Sequence, residues 1–452
     1  MNATSKVSAF APFQLRSFRL QWPADLATSW AFEMETLILG WYVLVETGSV
    51  LMLTVFASLQ YIGTLFAPMF GVMGDRIGHR NVLCAMRAIY ATLATAVMTF
   101  AYTGVLTPVH VLVIAALMGL VRPSDIGVRA TLIGETIPAA QLMGAMSIQR
   151  TTQDSARIAG ALTGAGLVAM LGMGPAYTVV ASFYAISFVL TLKAGRAHAA
   201  LLRGADAVRV VARFSDTSAQ HLLGAAAKTS AVQTTASAGE VPTRASPWRD
   251  LKAGLHYVWT TPHLLAMICL AFLINLTAFP LLNGLQPYVA REIYRTDQTG
   301  LGYIVASAAF GALLGSIALS RYGGAIRAGR MMIVACAVWY ALLLVFAHLQ
   351  HPGAGIPVLM LAGFAQSLSQ IPMAAMLLTT TEVRFRGRVM GIRMLAIYGL
   401  PVGLLISGPL IDHFGYPVTA TLYCGVGLAF TALIAVRWRA HLWRVAAPAN
   451  TR

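Results

Sequence analysis

Apolar residues in this chain run in long unbroken stretches and do not alternate with polar ones. About twelve stretches approach or exceed the roughly 20 residues that carry a helix across a bilayer core. They fall near 23–46, 50–74, 81–103, 108–130, 146–172, 174–194, 262–287, 300–320, 329–348, 355–381, 389–411 and 416–437, numbered spans 1 to 12 below. The alternating segments of roughly ten residues that build a membrane β-barrel are missing. The pattern predicts an all-α membrane protein of twelve transmembrane helices. The opening MNATSKVSAFAPFQLRSFRL has no continuous apolar core followed by a small-residue cleavage site, so span 1 itself is expected to direct insertion.

Between residues 195 and 247 the pattern fails. SAQHLLGAAAKTSAVQTTASAGEVPTRASP offers no sustained apolar face and reads as a largely disordered cytoplasmic linker, with a regulatory docking site as the lesser alternative. The expected units are a segment 1–22, a six-helix bundle over 23–194, the linker 195–247, a second bundle over 248–437 that includes a preceding amphipathic segment, and a tail 438–452. The two bundles resemble each other. VLVIAALMGLVRPSDIGVRATLIGETIPAAQLMG from Val111 aligns without a gap on VLMLAGFAQSLSQIPMAAMLLTTTEVRFRGRVMG from Val358, which sets Glu135 on Glu382 and Gly144 on Gly391. Arg76-Ile-Gly78 corresponds to Arg321-Tyr-Gly323, with Ser320 in place of Asp75. A duplicated six-span unit places its translocation path where the units meet.

Composition excludes a soluble fold: 58% of residues are hydrophobic and only 11% charged, against about 25% charged in soluble domains. The net charge of +16 invites a nucleic-acid partner, and its placement argues against one. Arg16, Arg19, Arg76, Arg80, Arg321, Arg327, Arg330, Arg384–Arg388, Arg437–Arg444 and the linker share one side, whereas the other holds only Arg291 and Arg295, offset by Glu292 and Asp297. The positive-inside rule then sets both termini in the cytoplasm. Cys84, Cys269, Cys336 and Cys424 lie singly in spans without metal-ligand spacing, as reduced packing residues would.

The run Gly71-Val-Met-Gly74-Asp75-Arg76-Ile-Gly78-His79-Arg80 between spans 2 and 3 resembles the signature loop of the major facilitator superfamily, with His79 where Arg is usual. Gly71 and Gly74 suit close helix approach, and Gly78 suits a tight turn. The resemblance implies two six-helix bundles of secondary-transporter type, with Asp75 capping span 11. Arg76 or Arg80 is expected to pair with Asp125, latching the halves together; a solvated basic turn serving topology is the alternative. Phe18-Arg-Leu, LGWYVLVETGS, Asp250-Leu-Lys-Ala-Gly254-Leu-His-Tyr257-Val and Arg386-Gly387-Arg388-Val-Met-Gly391 are similar to the exporter branch containing siderophore exporters and macrolide efflux proteins. On span 5, Gly160-Ala-Leu-Thr-Gly164-Ala-Gly166 resembles the glycine-rich element of drug antiporters, with Ala161 where Pro is usual.

Charges inside spans are costly and mark functional positions. Glu33 and Glu35 lie near the midplane of span 1 and project about 200° apart. Glu35 is favoured for the central path, because related exporters carry a polar residue before the equivalent of Thr36. Burial disfavours the charged form of a carboxyl, which suits proton coupling; a structural pair with Arg122 or Arg150 is the even alternative. Asp154 is the third proton-coupling candidate, and Arg150, Asp154 and Arg157 share one helix face as an ion-pair network or an anion site. Arg122, Asn275, Asn283, Gln286, Gln366 and Gln370 are substrate-path candidates, with interhelical bonding as the common alternative. Trp30, Phe32, Trp41 and Tyr61 are cavity-lining candidates.

These features predict a proton-driven exporter of a drug-like or siderophore-like compound in the inner membrane, monomeric, with the bilayer and the small molecule as its partners. An importer of a small nutrient is the nearest alternative. No Walker-type run is present, so no nucleotide cofactor is expected and the proton gradient is the expected energy source. An intramembrane enzyme would show a metal or nucleophile motif such as His-Glu-x-x-His, and none occurs. A non-transporting receptor would keep the spans without flux.

Overall fold

Every regular element of this computed structural model, which describes residues 11–194, 247–322, 327–382 and 385–439, is helical. Spans 1, 3, 4, 5 and 6 are single helices over Arg16–Thr47, His79–Thr103, Pro108–Thr136, Ala139–Leu171 and Met173–Ala194. Spans 8, 9, 10 and 12 are single helices over Gln298–Tyr322, Ala328–His348, Pro352–Thr380 and Tyr416–Arg437. Spans 2, 7 and 11 are broken. The linker over 195–246, the first ten residues and the tail from 440 lie outside the described residues, as does the side chain of Asp75 and therefore its expected link to span 11.

Nine helices among the described residues are long and apolar enough to cross a membrane on their own. Spans 1, 2 and 5 fall short of that measure, and each has a physical reason. Span 1 carries Arg16, Arg19, Asp25, Glu33 and Glu35, and span 5 carries Arg150, Asp154 and Arg157. Span 2 breaks into Val50–Leu59, a 3-10 turn Ile62–Phe66 and Ala67–Ile77. At that break Gly63 and Gly119 face each other so closely that a Cβ on either would strike the opposing backbone of span 4 or span 2. Pro68 then restarts the helix at a position where no amide hydrogen is needed.

Each half has its own apolar core. In the first, Met34, Ile38, Val82, Tyr90, Val111 and Tyr177 pack together; in the second, Met267, Ile274, Trp339, Tyr340, Leu359 and Cys424 do. The halves meet along spans 5 and 8 and along spans 2 and 11. Gly302 of span 8 lies on Ala161 and Ala165 of span 5, and Ser58 of span 2 donates to the Pro401 carbonyl of span 11 at 3.2 Å. Arg291 ties the halves at the end opposite the Gly78 turn by donating to the Leu44 carbonyl.

Span 7 runs as Pro262–Phe279, then loosens into π turns at Pro280–Gly284 and Val289–Ile293 around the short Gln286–Tyr288 turn. Pro280 and Pro287 each remove a backbone donor, and wide π turns re-seat the carbonyls they free. Span 11 has its own 3-10 step at Ala396–Tyr398 between Arg386–Leu395 and Gly399–Phe414. An amphipathic helix, Pro247–Thr260, precedes span 7. It is fixed by the stacking of Tyr257 on Phe385, centroids 4.3 Å apart, and it turns Leu255 and Trp259 outward.

Candidate functional site

Span 1 presents two carboxylates to two different environments. Glu35 faces inward, 3% exposed, and accepts hydrogen bonds from Tyr184 at 2.8 Å and Tyr177 at 3.5 Å, both on span 6. Glu33 faces the seam between the halves, where its Oε1 lies 3.8 Å from Arg157 Nε of span 5. Arg157 in turn donates to Asn283 Oδ1 of span 7 at 3.2 Å. The expectation that Glu35 lines the path is therefore corrected. The residues are two apart on a 3.6-residue helix, and it is the tyrosines of span 6 that claim Glu35.

Arg122 enters from span 4 beside this chain of contacts. It donates to Thr36 Oγ1 at 2.8 Å, to Gln60 Oε1, and to the Phe32 carbonyl at 3.5 Å, and its guanidinium lies 4.4 Å from the Phe32 ring centroid. Its partners are all neutral: no carboxylate among the described residues reaches ion-pair distance. The break in span 2 makes this possible by turning Gln60 and Tyr61 toward span 4. Tyr61 lies within electrostatic reach of Arg122, Arg157 and Glu33 at once.

The glycine element of span 5 explains how Glu33 meets Arg157. A Cβ on Gly160 would sit 2.8 Å from Glu33 Cβ, and one on Gly164 would sit 3.0 Å from Met34 Cα. Those two glycines let spans 1 and 5 close on each other. Gly166 plays no part in that approach, since a Cβ there meets nothing within 4 Å. It borders an apolar groove with Trp30, Met34, Thr163 and Phe183.

The expected trio on span 5 divides. Arg150 Nε is 3.2 Å from Asp154 Oδ2, whereas Arg157 turns away to Glu33. Asp154 is largely buried and pairs with the mostly exposed Arg150. Of the polar candidates on spans 7 and 10, only Asn283 joins the Glu33 cluster. Asn275 donates to the Ala271 carbonyl of its own helix at 2.8 Å, which spends it locally. Gln286 is buried, Gln366 is half-buried, and Gln370 Nε2 is buried without a hydrogen-bond partner.

The expected latch is also corrected. Asp125 does not reach Arg76 or Arg80; it pairs with Arg129 one turn along span 4, both almost fully buried. Arg129 also lies 3.7 Å from Asp25 of span 1, which pairs with Arg87 of span 3, and Arg87 donates to Thr191 of span 6. Two acids and two bases thus neutralise one another inside the first half, where an unpaired charge would be heavily penalised. Sequence reasoning missed Asp25, Arg87 and Arg129, although each falls within a predicted apolar stretch. With Asp125 they make two acids and two bases inside apolar stretches, and that balance was the available signal.

Arg76 is exposed, and Arg80 donates to the Leu192 carbonyl at 2.8 Å. His79, the unusual member of the run, is buried and pairs with Glu135 at 2.8 Å, closing the 2–3 turn onto the end of span 4. Gly74 is required beneath it, because a Cβ there would run into the His79 ring. Gly78 turns the chain at φ +88°, a conformation that favours glycine. The side chains that would show a contact at Gly71 and Asp75 are outside the described residues.

The family model described as Major Facilitator Superfamily matches residues 26–400 and, separately, 268–449. Among curated protein sequences none matches significantly. Similar solved structures include the nucleoside transporter NupG, with TM-score 0.60 and 14% identity over 96% of this chain and 100% of that one. The POT family transporter PepTSo is similar with TM-score 0.67 and 15% identity over 95% and 99%. A bacterial homologue of the human lysosomal transporter Spinster, captured inward-facing and unoccupied, gives TM-score 0.62 and 10% identity over 94% and 96%. Identities this low speak for the fold alone.

Proposed function

This chain belongs to the major facilitator superfamily, and from that premise we propose that it is a proton-coupled exporter of a drug-like or siderophore-like small molecule, working by alternating access in the inner membrane. The observation that carries the reading is the Glu33–Arg157–Asn283 link, which joins spans 1 and 5 of one half to span 7 of the other. Protonating Glu33 removes the negative charge that holds Arg157, and Arg157 is the arm that reaches the opposite half. A proton taken up at Glu33 would thus loosen one contact between the halves and free a cation to meet cargo. The discontinuous helices 2, 7 and 11 border the same region, as broken helices do at the binding sites of many carriers.

Export is supported by the similarity of several stretches to the exporter branch. The test is direct. Inverted membrane vesicles energised with an acidic interior should accumulate a panel of amphipathic dyes in a Glu33-dependent manner. Accumulation only in right-side-out vesicles would assign import and overturn the direction, and gradient-independent flux would overturn proton coupling.

A further inference from the structure

We infer that the seam between the halves is built to take an organic anion, a molecule bearing a carboxylate, sulfonate or phosphate group. The inference rests on the transporter reading and adds the chemical class of the cargo. Four guanidinium groups mark the seam from the basic end inward. Arg150 of span 5 and Arg393 of span 11 lie within electrostatic reach of each other across it. Arg157 stands seven residues, or about two helical turns, beyond Arg150 on the same helix. Arg122 reaches the same neighbourhood through Gln60 and Tyr61.

The carboxylates ion-paired to these four, among the described residues, are Asp154 on Arg150 and Glu33 on Arg157. Arg122 and Arg393 have none. Two positive charges therefore stand in a low-dielectric seam without a counter-charge at ion-pair distance among the described residues, and Arg150 and Arg393 repel each other across it. A cleft lined by one sign of charge concentrates ligands of the opposite sign. A guanidinium presents a fork of donors that suits oxyanions. The arginine side chains are also accessible: Arg157 is 37% exposed and Arg150 is 66% exposed.

An anion entering the seam has a defined order of encounter. It meets the Arg150–Arg393 pair first, relieving their repulsion, and then Arg157. There its charged group competes with Glu33 for one guanidinium, so cargo and carboxylate cannot both hold it at full strength. Protonation of Glu33 would favour the cargo, which gives the exchange a physical basis within a single contact.

The charge of the seam can be read without knowing the cargo and without flux. Gln153 lies between Arg150 and Arg157 on the same side of span 5 and is half-buried. A Gln153→Cys variant on a Cys269→Ser background carries one new thiol, the remaining cysteines being buried. Its rates of modification by the anionic sulfonatoethyl and the cationic trimethylammonioethyl methanethiosulfonates are compared with those of Thr103→Cys, at the opposite end of span 3. Taking the ratio of reagents cancels the thiol's own reactivity. The expected result is a preference for the anionic reagent about tenfold greater at position 153 than at 103, falling toward the control in Arg150→Gln/Arg393→Gln.

An equal ratio at the two positions, a preference for the cation, or a thiol that neither reagent reaches would each overturn the inference. The proton-coupling reading fails differently, through undiminished gradient-driven transport in Glu33→Gln, a measurement the labelling ratio does not touch.

Discussion

Glu33 and Glu35 stand two residues apart on span 1 and serve opposite sides of it: Glu33 meets Arg157 in the seam, and Glu35 meets Tyr184 and Tyr177 inside the first half. This division sets the first prediction. Glu33→Gln should lower gradient-driven transport by about tenfold or more, the equivalent of losing one interaction of about 1.4 kcal/mol in the transition. Glu35→Gln keeps an acceptor for both tyrosines and should stay close to the parent rate. Proton movement into proteoliposomes, followed with an entrapped pH dye, checks both; the reverse ranking would return Glu35 to the mechanism.

The second prediction concerns the buried charges of the first half. Arg129→Ala leaves Asp125 without its partner and removes one cation from beside Asp25. Breaking a buried pair in this way costs about 3–5 kcal/mol. Thermal unfolding in detergent should show a marked loss for Arg129→Ala and a smaller one for the double variant Asp125→Asn/Arg129→Gln, in which no bare charge remains.

Packing of span 5 on span 1 gives a third. Gly160→Val should push the helices apart where Glu33 meets Arg157, since even a single Cβ would stand 2.8 Å from Glu33 Cβ. Transport should fall while membrane insertion, read from expression and protease protection, is retained. Gly166→Ala fills open space and should leave the transport rate unchanged.

The turn between spans 2 and 3 supplies a fourth. Gly78→Ala forces a side chain into φ +88° and should destabilise the protein by about 1 kcal/mol or more. Substitution of Gly425, where a Cβ meets nothing and the backbone is ordinary helix, is the matched control. Unfolding midpoints that move equally in the two variants would refute the role given to Gly78.

Most of the architecture was legible because a bilayer imposes one rule, a long apolar run, on every span. The runs near 329–348 and 416–437 correspond to helices Ala328–His348 and Tyr416–Arg437 within a residue. Span 1 is longer than its apolar run and begins at Arg16, because Phe18 and Trp22 pack on Phe13 and hydropathy does not register a polar helix end covered by protein. The site was harder to read. Periodicity placed Glu33 and Glu35 on opposite faces and carried no information about which face met the seam. That depended on Tyr177 and Tyr184, more than 140 residues away in sequence. Asp125 was matched to Arg76 and Arg80 of the run between spans 2 and 3, while the fold supplied Arg129 one turn along the same helix together with Asp25 and Arg87 from two others.

The quartet of Asp25, Arg87, Asp125 and Arg129 also orders the birth of the protein. Span 1 leaves the ribosome first, carrying at Asp25 an acid whose exposure to lipid is unfavourable. Its neutralising partner Arg87 is made 62 residues later, and Arg129 and Asp125 arrive only with span 4. The acid of span 1 is therefore neutralised only once spans 3 and 4 have been made, so the first half gains its full stability as a group of four helices and not one helix at a time.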